Sequence, residues 1–454
     1  MTARKNKNRQ RVQVQHLPVL QPDAAGIDVG SAEHWVAVGP DRDEQPVRRF
    51  AAFTADLVRL ADWLTQCGIK TVAMEATGVY WIPLFELLES RGFEVFLVDP
   101  RQTHNVKGRP KTDRLDCQWI QRLHACGLLA GSFRPSDQIV VLRGYLRQKQ
   151  MLVRYAAQHV QHLQKALEQM NVKLTEVVSD ITGVTGLSIL KAILQGERDP
   201  VQLAKLRNVH CKASEAGIAQ ALAGNWRQEH LFELKQALAL WEFYRQQIEA
   251  CDHEIERYLG TLPDQSADKP RLEPKPRQRK RGANEPAYDA RGLVYRVSGV
   301  DLTAIEGIDQ TTALVLIAEI GPDLSRFPSR RHFCAWLGLC PQHKISGGKV
   351  QSRRVRPGVS RAARALRLSA WALHRSKSAL GAYCRKMKAR LGAAKGIVAT
   401  AHKLARLVYA LLTQGQEYVS QAMEEYEQAY KLRKVKGLAR QAEELGYRLE
   451  PAQP

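Results

Sequence analysis

The stretch that decides the fold is Gly26-Ile27-Asp28-Val29-Gly30, in which a carboxylate lies within a short apolar run flanked by glycines. This pattern is typical of a buried strand that ends in a tight turn. Because strand-like and helix-like patterns alternate from here on, we expect an α/β domain over residues 23–138. The β-like runs that follow are 35–38, 71–75 and 95–99, and the amphipathic stretches are 54–66 and 80–90.

The composition indicates a polyanionic partner. The chain has 454 residues, and its 68 Lys and Arg against 46 Asp and Glu give a formal charge of +22. No stretch approaches the ~20 consecutive apolar residues of a membrane helix, so we expect no membrane partner. Eight scattered cysteines without a CxxC pair argue against a zinc site or a disulfide framework, and they favour reduced thiols in the cytoplasm.

The sequence pattern predicts a mostly helical remainder. Heptad-like apolar seams predict a helical, coiled-coil oligomerisation region over 139–260, whose two long helices pack against each other or against a second subunit. One internal core stripe is the alternative. Prolines and basic residues predict a linker over 261–290, and the pattern over 291–430 is again helical. We expect a basic flexible arm over 1–22 and a charged, weakly ordered tail over 431–454.

Four carboxylates are candidates for a metal site. Asp28 and Glu75 occupy strand-like runs, where an acid costs free energy unless a cation or a partner compensates it. Asp113 and Asp116 open a helical pattern, and their spacing places them on one helix face. If the four converge, they form an all-oxygen site suited to Mg²⁺ or Mn²⁺. An N-cap or a partner of the helix dipole is the alternative for Asp113 and Asp116.

A serine is the candidate nucleophile. Ser346 lies in a Gly-rich polar loop predicted over 341–360, beside two glycines and between Lys344 and Lys349. Glycines let a phosphate approach the backbone, and lysines attract it. A serine hydroxyl attacks only with assistance, here from a metal ion or from His343. An ordinary polar surface turn is the alternative.

Basic residues follow this serine. Arg361, Arg364 and Arg367 recur at steps of three on a helix predicted to start near Ser360, so we expect them on one face in contact with successive phosphates. A solvated helix face is the alternative. The expected nucleic-acid-binding residues are Lys344, Lys349, Arg353, Arg354, Arg356, Arg361, Arg364 and Arg367, with Arg277, Arg279, Lys280 and Arg281 in the linker.

Residues 302–313 are similar to a helix-hairpin-helix motif, whose Gly-x-Gly turn offers backbone N–H groups to DNA phosphate. Asp309 stands where the second glycine would be. This replacement favours simple packing over phosphate binding.

Four motifs together resemble the DEDD transposases of bacterial insertion sequences, which are related to the Piv and MooV invertases and often called the IS110 family. Each motif is weak alone, but their order and spacing over nearly the whole chain are specific. The motifs are Gly-Ile-Asp-Val-Gly (26–30), Met-Glu-Ala-Thr-Gly-Val-Tyr-Trp (74–81), Lys-Thr-Asp-Arg-Leu-Asp (111–116) and Gly-Leu-Cys-Pro-Gln-His-Lys-Ile-Ser-Gly (338–347).

The resemblance implies a RuvC-like domain with an RNase H fold, whose catalytic and metal-binding tetrad is Asp28, Glu75, Asp113 and Asp116. It also implies a mostly α C-terminal transposase domain with Ser346 as nucleophile. The reaction implied is attack of this serine on a DNA phosphate, giving a covalent phosphoserine link, with Mg²⁺ or Mn²⁺ at the tetrad.

The same resemblance implies the partners. They are double-stranded DNA at the element ends and the target, a structured non-coding bridge RNA that guides the reaction, and further copies of the chain in a dimer or tetramer. A bacterial protein of this kind is cytoplasmic and nucleoid-associated.

Two other functions fit the same residues. One is a RuvC-like nuclease or resolvase that cuts DNA with metal-activated water, so that Ser346 is only a loop residue. The other is a non-catalytic nucleic-acid-binding protein of the same fold.

Overall fold

The computed structural model describes residues 17–104, 112–273, 282–352, 354–355 and 360–450. The chain divides into two compact units, Met1–Arg134 and Pro135–Pro454. All eight cysteines lie in the described residues, where each is a free thiol. No helix in the described part is long and apolar enough to cross a membrane.

The first unit is built on a mixed five-stranded sheet, which confirms the predicted α/β organisation. Its elements are β1 (Ala24–Val29), β2 (Glu33–Ala37), β3 (Val47–Ala51), α1 (Thr54–Gln66), β4 (Thr71–Glu75), α2 (Trp81–Ser90), β5 (Glu94–Val98), α3 (Pro100–His104) and α4 (Asp113–Ala125). The strand order is β3-β2-β1-β4-β5, with β2 antiparallel to both neighbours and β4 and β5 parallel to β1. The sequence patterns missed β3, because Arg48 and Arg49 interrupt its apolar alternation.

Helices cover both faces of this sheet. On one face, Ile27 and Met74 pack with Leu60, Leu64 and Leu84 from α1 and α2. On the other face, a smaller cluster joins the sheet to α4; its buried members are Ala73, Val98, Ile120, Leu123 and Leu129. The central strand β1 is therefore enclosed on both sides, which explains its unbroken apolar sequence up to Asp28.

The second unit is almost entirely helical. Its elements are α5 (Asp137–Gln169), α6 (Leu174–Val177), α7 (Val184–Leu194), α8 (Pro200–Ala204), α9 (Glu215–Ala221), α10 (Gln228–Thr261), α11 (Ala290–Ser298), α12 (Gln310–Ile320), α13 (Arg330–Trp336), β6 (Lys344–Ser346), β7 (Lys349–Ser352), α14 (Arg361–Ala372), α15 (Ala379–Leu391), α16 (Ala393–Gln414) and α17 (Gln416–Glu444).

The two longest helices with apolar seams, α5 and α10, pack against each other within one chain. Tyr155 contacts Tyr244 near the middle of both helices, and the hydroxyl of Tyr258 donates to the carbonyl of Gln138 near one end, so the helices are antiparallel. Helices α6 to α9 cover the far end of this hairpin and share one core with it. Of the predicted arrangements, packing of the helices on each other is the one present in the chain.

The expected linker contains no helix or strand in its described residues, 262–273 and 282–289. Part of it is nevertheless fixed by hydrogen bonds: Lys269 Nζ donates to the carbonyl of Gly299 at 2.8 Å, and Tyr295 Oη donates to that of Pro270 at 2.6 Å. The basic residues expected to bind nucleic acid here lie outside the described residues; they are Arg277, Arg279, Lys280 and Arg281.

The expectation of a weakly ordered tail over 431–454 is wrong as far as Glu444, because α17 continues to that residue. The segment is rich in Ala, Glu, Lys, Arg and Gln, which favour helix, and Arg440 pairs with Glu444 one turn later. Lys403 of α16 places its ammonium 3.5 Å from the ring centroid of Tyr426, which attaches α17 to its neighbour.

Candidate functional site

Two of the candidate acids lie side by side at the carboxyl ends of adjacent strands. Ile27 of β1 pairs with Met74 of the parallel strand β4. The next residue on each strand, Asp28 and Glu75, is therefore also in register, and the two side chains leave the same face of the sheet. Both are partly buried.

Helix α4 is packed directly on β1 at Gly26. A Cβ atom at this position would lie 2.6 Å from the carbonyl oxygen of Cys117, so only glycine allows the contact. Asp28 lies two residues further along the strand, on the same face as Gly26, and it therefore also faces α4. The first turn of that helix carries Asp113 and Asp116.

Electrostatics agree with this placement. Burial raises the pKa of the Cys117 thiol to about 12, and the negative charges of Asp28 and Asp116 raise it further. Both carboxylates therefore lie close enough to Cys117 to affect it, and the thiol is neutral. Asp116 is partly buried, whereas Asp113 is exposed.

Capping does not account for these two aspartates. The N-cap of α4 is Thr112, whose hydroxyl accepts a hydrogen bond from the backbone N–H of Leu115 at 3.3 Å. Asp113 and Asp116 follow the cap inside the first turn, where negative charge interacts favourably with the helix dipole. They are thus held on the helix end that faces Asp28.

A residue that the sequence patterns did not single out holds Glu75. Thr103 of α3 is buried, and its one hydroxyl hydrogen is shared between the carbonyl of Pro100 at 2.8 Å and Glu75 Oε2 at 3.2 Å. The Trp119 indole N–H of α4 donates to the carbonyl of Thr103 at 3.3 Å. Thr103 therefore links Glu75 to the helix that carries the aspartates. A lone threonine in a polar stretch offers no charge or periodicity signal, so this role needs the fold to be seen.

The carboxylate set fits a hard divalent cation by its chemistry, because Mg²⁺ and Mn²⁺ prefer oxygen donors. Within the described residues, however, no three His, Cys, Asp or Glu side chains converge as metal ligands. The fold brings Asp28, Glu75 and the first turn of α4 to one region of the first unit, and coordination by all four remains a prediction.

The expected Gly-rich loop at 341–360 is wrong in its first half, because a β-hairpin forms there. Strands β6 and β7 are antiparallel, and Ser346 pairs with Lys349 next to the turn. Gly347 and Gly348 form a two-residue turn with φ of +55° and +75°, which selects glycine at both positions. β-Branched Ile345 and Val350 on its two arms favour strands over a loop.

Ser346 is exposed at the tip of this hairpin. No hydrogen bond within the described residues joins its hydroxyl to His343. Open space surrounds the two turn glycines, and Lys349 is exposed beside the serine. The hairpin thus presents a hydroxyl that a substrate phosphate can reach. The side chain of Lys344 lies outside the described part.

The three arginines of α14 do not form one exposed face. The helix begins as predicted, with Ser360 Oγ accepting from the N–H of Ala363 at 3.2 Å. Arg364 is exposed, whereas Arg361 and Arg367 are partly buried. Three residues make less than one full turn of a helix with 3.6 residues per turn, so arginines spaced three apart point in successively different directions around the helix. Arg354 is exposed, and Arg353 and Arg356 lie outside the described residues.

The segment similar to a helix-hairpin-helix motif is a packing element. Asp309 Oδ1 accepts from the N–H of Thr312 at 2.8 Å and caps α12, so its carboxylate occupies the helix end. Gly307, with φ of +90°, lies against Leu373 at the end of α14. Both contacts agree with the prediction that Asp309 favours packing.

The sequence contains one electrostatic signal that motif analysis missed. Residues 324–416 include 20 Lys and Arg and not one Asp or Glu. This acid-free stretch runs from the end of α12 to the start of α17 and contains the Ser346 hairpin. Almost the whole excess charge of the protein is therefore concentrated around the candidate nucleophile.

Comparison with known families gives two matches in the order that the motifs predicted. Residues 25–172 match the DEDD transposase family of IS110 elements. Residues 301–385 match the transposase IS116/IS110/IS902 family. The chain belongs to the IS110 family of transposases. No curated protein matches the chain.

Members of this family are DNA-cleaving and DNA-recombining enzymes, and the DEDD domain suggests a RuvC-like fold for the mixed sheet. The first match contains the four candidate acids, and the second contains Ser346 and the arginines of α14. The parts outside both matches are α6 to α9, α10, the linker, α11, and the helices from α16 onward. These parts of the IS110 transposase are described by its structure alone.

Proposed function

We propose that the chain is a site-specific DNA recombinase in which Ser346 attacks a phosphodiester while Asp28, Glu75, Asp113 and Asp116 hold divalent metal ions. The observation that carries the proposal is the placement of Asp28 and Glu75 side by side, facing a helix whose first turn holds two more carboxylates. Such a group repels DNA unless cations compensate it, which supports metal-dependent chemistry over binding alone.

The chemistry is a phosphoryl transfer that conserves bond energy. Bound Mg²⁺ or Mn²⁺ would supply charge stabilisation at the phosphate oxygens. The Oγ–P bond of Ser346 forms as the P–O bond to one sugar breaks; the serine loses a proton, and the departing sugar oxygen gains one. Attack by a sugar hydroxyl on the phosphoserine then rejoins a strand without an external energy source.

Trapping of the covalent link tests the nucleophile. Ser346→Ala should abolish the protein–DNA adduct and lower strand transfer by at least about 10³-fold, as loss of a nucleophile does elsewhere. Ser352→Ala, on the other strand of the same hairpin, is the matched control and should leave the adduct intact. Normal cleavage by Ser346→Ala would instead favour a nuclease that uses water.

Isosteric amides test the acidic group. Asp28→Asn and Glu75→Gln should weaken Mn²⁺ binding, followed by electron paramagnetic resonance, and should abolish strand transfer while DNA affinity changes less than about threefold. Glu94→Gln, at the exposed start of β5 in the same sheet, is the control. Unchanged Mn²⁺ binding in both amide variants would contradict the proposal that Asp28 and Glu75 bind a metal ion.

We extend the proposal to a guide RNA and to the basic residues. The charge of +22 and the acid-free stretch support a large polyanionic partner besides the DNA that is cut. We expect one structured transcript, encoded beside the gene, to be recovered after crosslinking in the bacterial cytoplasm, and a mixture of unrelated RNAs would contradict this. The residues proposed to contact nucleic acid are Lys344, Lys349, Arg353, Arg354, Arg356, Arg361, Arg364, Arg367, Arg277, Arg279, Lys280 and Arg281.

We also propose that the active form is a dimer or tetramer in which different subunits supply the acids and the serine. Complementation tests this directly. Asp113→Asn and Ser346→Ala proteins, each inactive alone, should recover part of the strand transfer when mixed. Light scattering should give at least twice the monomer mass. No recovery, together with a monomeric mass, would place both groups in one chain.

A further inference from the structure

The exposed face of α14 carries both charge and aromatic surface. Arg364, Leu368 and Trp371 are spaced at i, i+4 and i+7, so they share one helix face. Leu368 is 57% exposed and Trp371 is 63% exposed. Arg375 is exposed one turn further along. A tryptophan left in solvent between arginines indicates a surface that binds something.

Helix α5 adds two more guanidinium groups to this face. Arg361 Nη1 of α14 donates to Gln150 Oε1 of α5 at 2.8 Å, which fixes where the two helices meet. Arg147 precedes Gln150 by three residues, and Arg154 follows it by four, so both lie on the same side of α5 as the contact. Arg364 lies one turn after Arg361. Four guanidinium groups therefore gather at this crossing.

The positive charge of this crossing is only partly balanced by acids among the described residues. Glu319 of α12 is the acid that faces it, and both of its carboxylate oxygens accept from Arg147, at 3.0 and 2.7 Å. Within the described residues, neither Arg154 nor Arg364 forms an ion pair. Burial and the charge of Arg147 lower the pKa of Arg361, Glu319 opposes this shift, and the charges of Arg154 and Arg364 add to it, which agrees with the crowding.

These features distinguish between two kinds of partner. A second copy of the chain with this face on a two-fold axis would bring the same arginines against each other, which costs free energy. A nucleic-acid strand supplies phosphates for the arginines, and an unpaired base has a flat face that stacks on an exposed indole. Arg364 and Trp371 are about 10 Å apart along the helix axis. A phosphate held by Arg364 and a base stacked on Trp371 would therefore not overlap.

We propose that Arg154, Arg364 and Trp371 form a binding site for a nucleic-acid strand with an unpaired base. The guanidinium groups hold phosphates, and the base stacks on Trp371. This deepens the proposed function, on which it rests, because it names where a nucleic-acid partner lies. It does not require Ser346 or the acidic group to be catalytic.

Anisotropy titrations of the full-length protein test the site with three probes: duplex DNA, single-stranded DNA, and an RNA hairpin with an unpaired loop. Trp371→Ala should weaken binding of probes with unpaired bases by about 5- to 100-fold, and Trp371→Phe should restore most of it. Binding of duplex DNA should change less than about twofold. Phe232→Ala removes an equally exposed ring from α10 and is the control.

The arginines have a different signature. Arg154→Gln with Arg364→Gln should weaken binding of all three probes and reduce the slope of log affinity against log salt by up to about 2 for duplex DNA. Lys165→Gln, which removes an exposed cation further along α5, should not change the slope.

Several outcomes overturn this proposal. The first is that Trp371→Ala binds the probes with unpaired bases as tightly as the unchanged protein does. The second is that Trp371→Ala loses as much affinity for duplex DNA as for those probes. The third is that Trp371→Ala dissociates an oligomer, which would make the surface a contact between copies. Weaker binding of both the RNA and the single-stranded DNA probe supports the site. Weaker binding of only one of them supports the site and also identifies the kind of strand that it binds. The covalent adduct of Ser346 is measured in a separate experiment. A failure of the proposed serine chemistry can therefore be distinguished from a failure of this binding site.

Discussion

Gly26 determines how close α4 comes to the sheet. The Cβ of an alanine here would lie 2.1 Å from the backbone nitrogen of Gln121, a distance that no rotamer change relieves. The helix has to move, and with it the first-turn aspartates.

We expect Gly26→Ala to cost about 2–3 kcal/mol of local stability, at the upper end of overpacking effects. Hydrogen exchange of the intact chain should show faster exchange in β1 and α4 and no change in α16. Gly144→Ala, at an open position in α5, is the control and should leave β1 and α4 unaffected. Unchanged exchange in β1 would mean that the close contact is not rigid.

His124 makes the first unit sensitive to acid. The ring is buried and bonded to the Thr71 hydroxyl at 2.8 Å, and burial lowers its pKa to about 4. In the unfolded chain the pKa is near 6.5, so protonation favours unfolding. Stability should therefore fall as the pH drops from about 6.5 to about 4 and then level off. In denaturant titrations, His124→Gln should lose less free energy of unfolding over this pH interval than the unchanged protein does. An equal loss would mean that other groups cause the acid sensitivity.

Residues that stand out in the local pattern could be singled out as candidates from the sequence, and those that matter through tertiary contact could not. An acid in an apolar run marked Asp28 and Glu75, because burial of a carboxylate is costly wherever it occurs. The role of Gly26 as a contact point depends on a helix that lies about 90 residues away in the sequence. The role of Thr103 depends on Glu75, 28 residues before it, and on Trp119, 16 residues after it, and both separations lie beyond any periodicity.

At the scale of elements, the hairpin turn is the clearest example of local geometry that supports a site. Valine is a poor residue at positive φ, whereas asparagine tolerates it. We expect Gly347→Val to lower formation of the phosphoserine adduct by at least about tenfold, with the melting temperature unchanged because the tip is exposed. Gly347→Asn should retain most of the adduct. Equal yields from both variants would show that the turn does not position Ser346.

The α5–α10 hairpin contains a buried ion pair. Lys149 Nζ lies 2.5 Å from Asp252 Oδ1, and both side chains are about nine-tenths buried. Lys149→Met leaves the carboxylate buried and unpaired, which should cost about 3–5 kcal/mol, and Asp252→Leu added to it should restore most of the loss.

A matched pair on the surface is the control for this measurement. Lys191 and Glu242 are 2.8 Å apart but well exposed, so Lys191→Met should cost less than about 1 kcal/mol. Hydrogen exchange in α5 and α10 reports both effects. Equal losses from the buried and the exposed pair would contradict the argument from burial.

Elements were predictable where one face is buried. Apolar alternation predicts β1, β2, β4 and β5, and a regular apolar seam predicts α5 and α10. The prediction failed for polar elements: two of the five residues of β3 are arginine, and α17 has too little apolar surface to show a stripe. Their stability comes from strand pairing and from helix propensity with side-chain pairs, and neither leaves a hydrophobic period in the sequence.

The whole molecule segregates its charge. Residues 17–134 contain 15 Asp and Glu and 13 Lys and Arg, whereas the acid-free stretch 324–416 contains 20 Lys and Arg. Repulsion between like charges therefore acts mainly within residues 324–416.

Salt should affect the two parts differently. Raising the ionic strength from 0.1 to 1 M shortens the Debye length from about 10 Å to about 3 Å. We expect slower hydrogen exchange in α14 to α16 at the higher salt and little change in the sheet. Inorganic polyphosphate at low salt should protect the same helices. An equal response of the sheet would show a general salt effect.

The acid-free stretch also has a kinetic consequence. A long-range field guides a polyanion to the C-terminal helices first, because the first unit is close to neutral and presents acids at its strand ends. On the proposed function, DNA would therefore be captured before it is aligned, and DNA of the wrong sequence would be released before Ser346 attacks it. The uneven distribution of charge would in this way separate binding from cleavage in time.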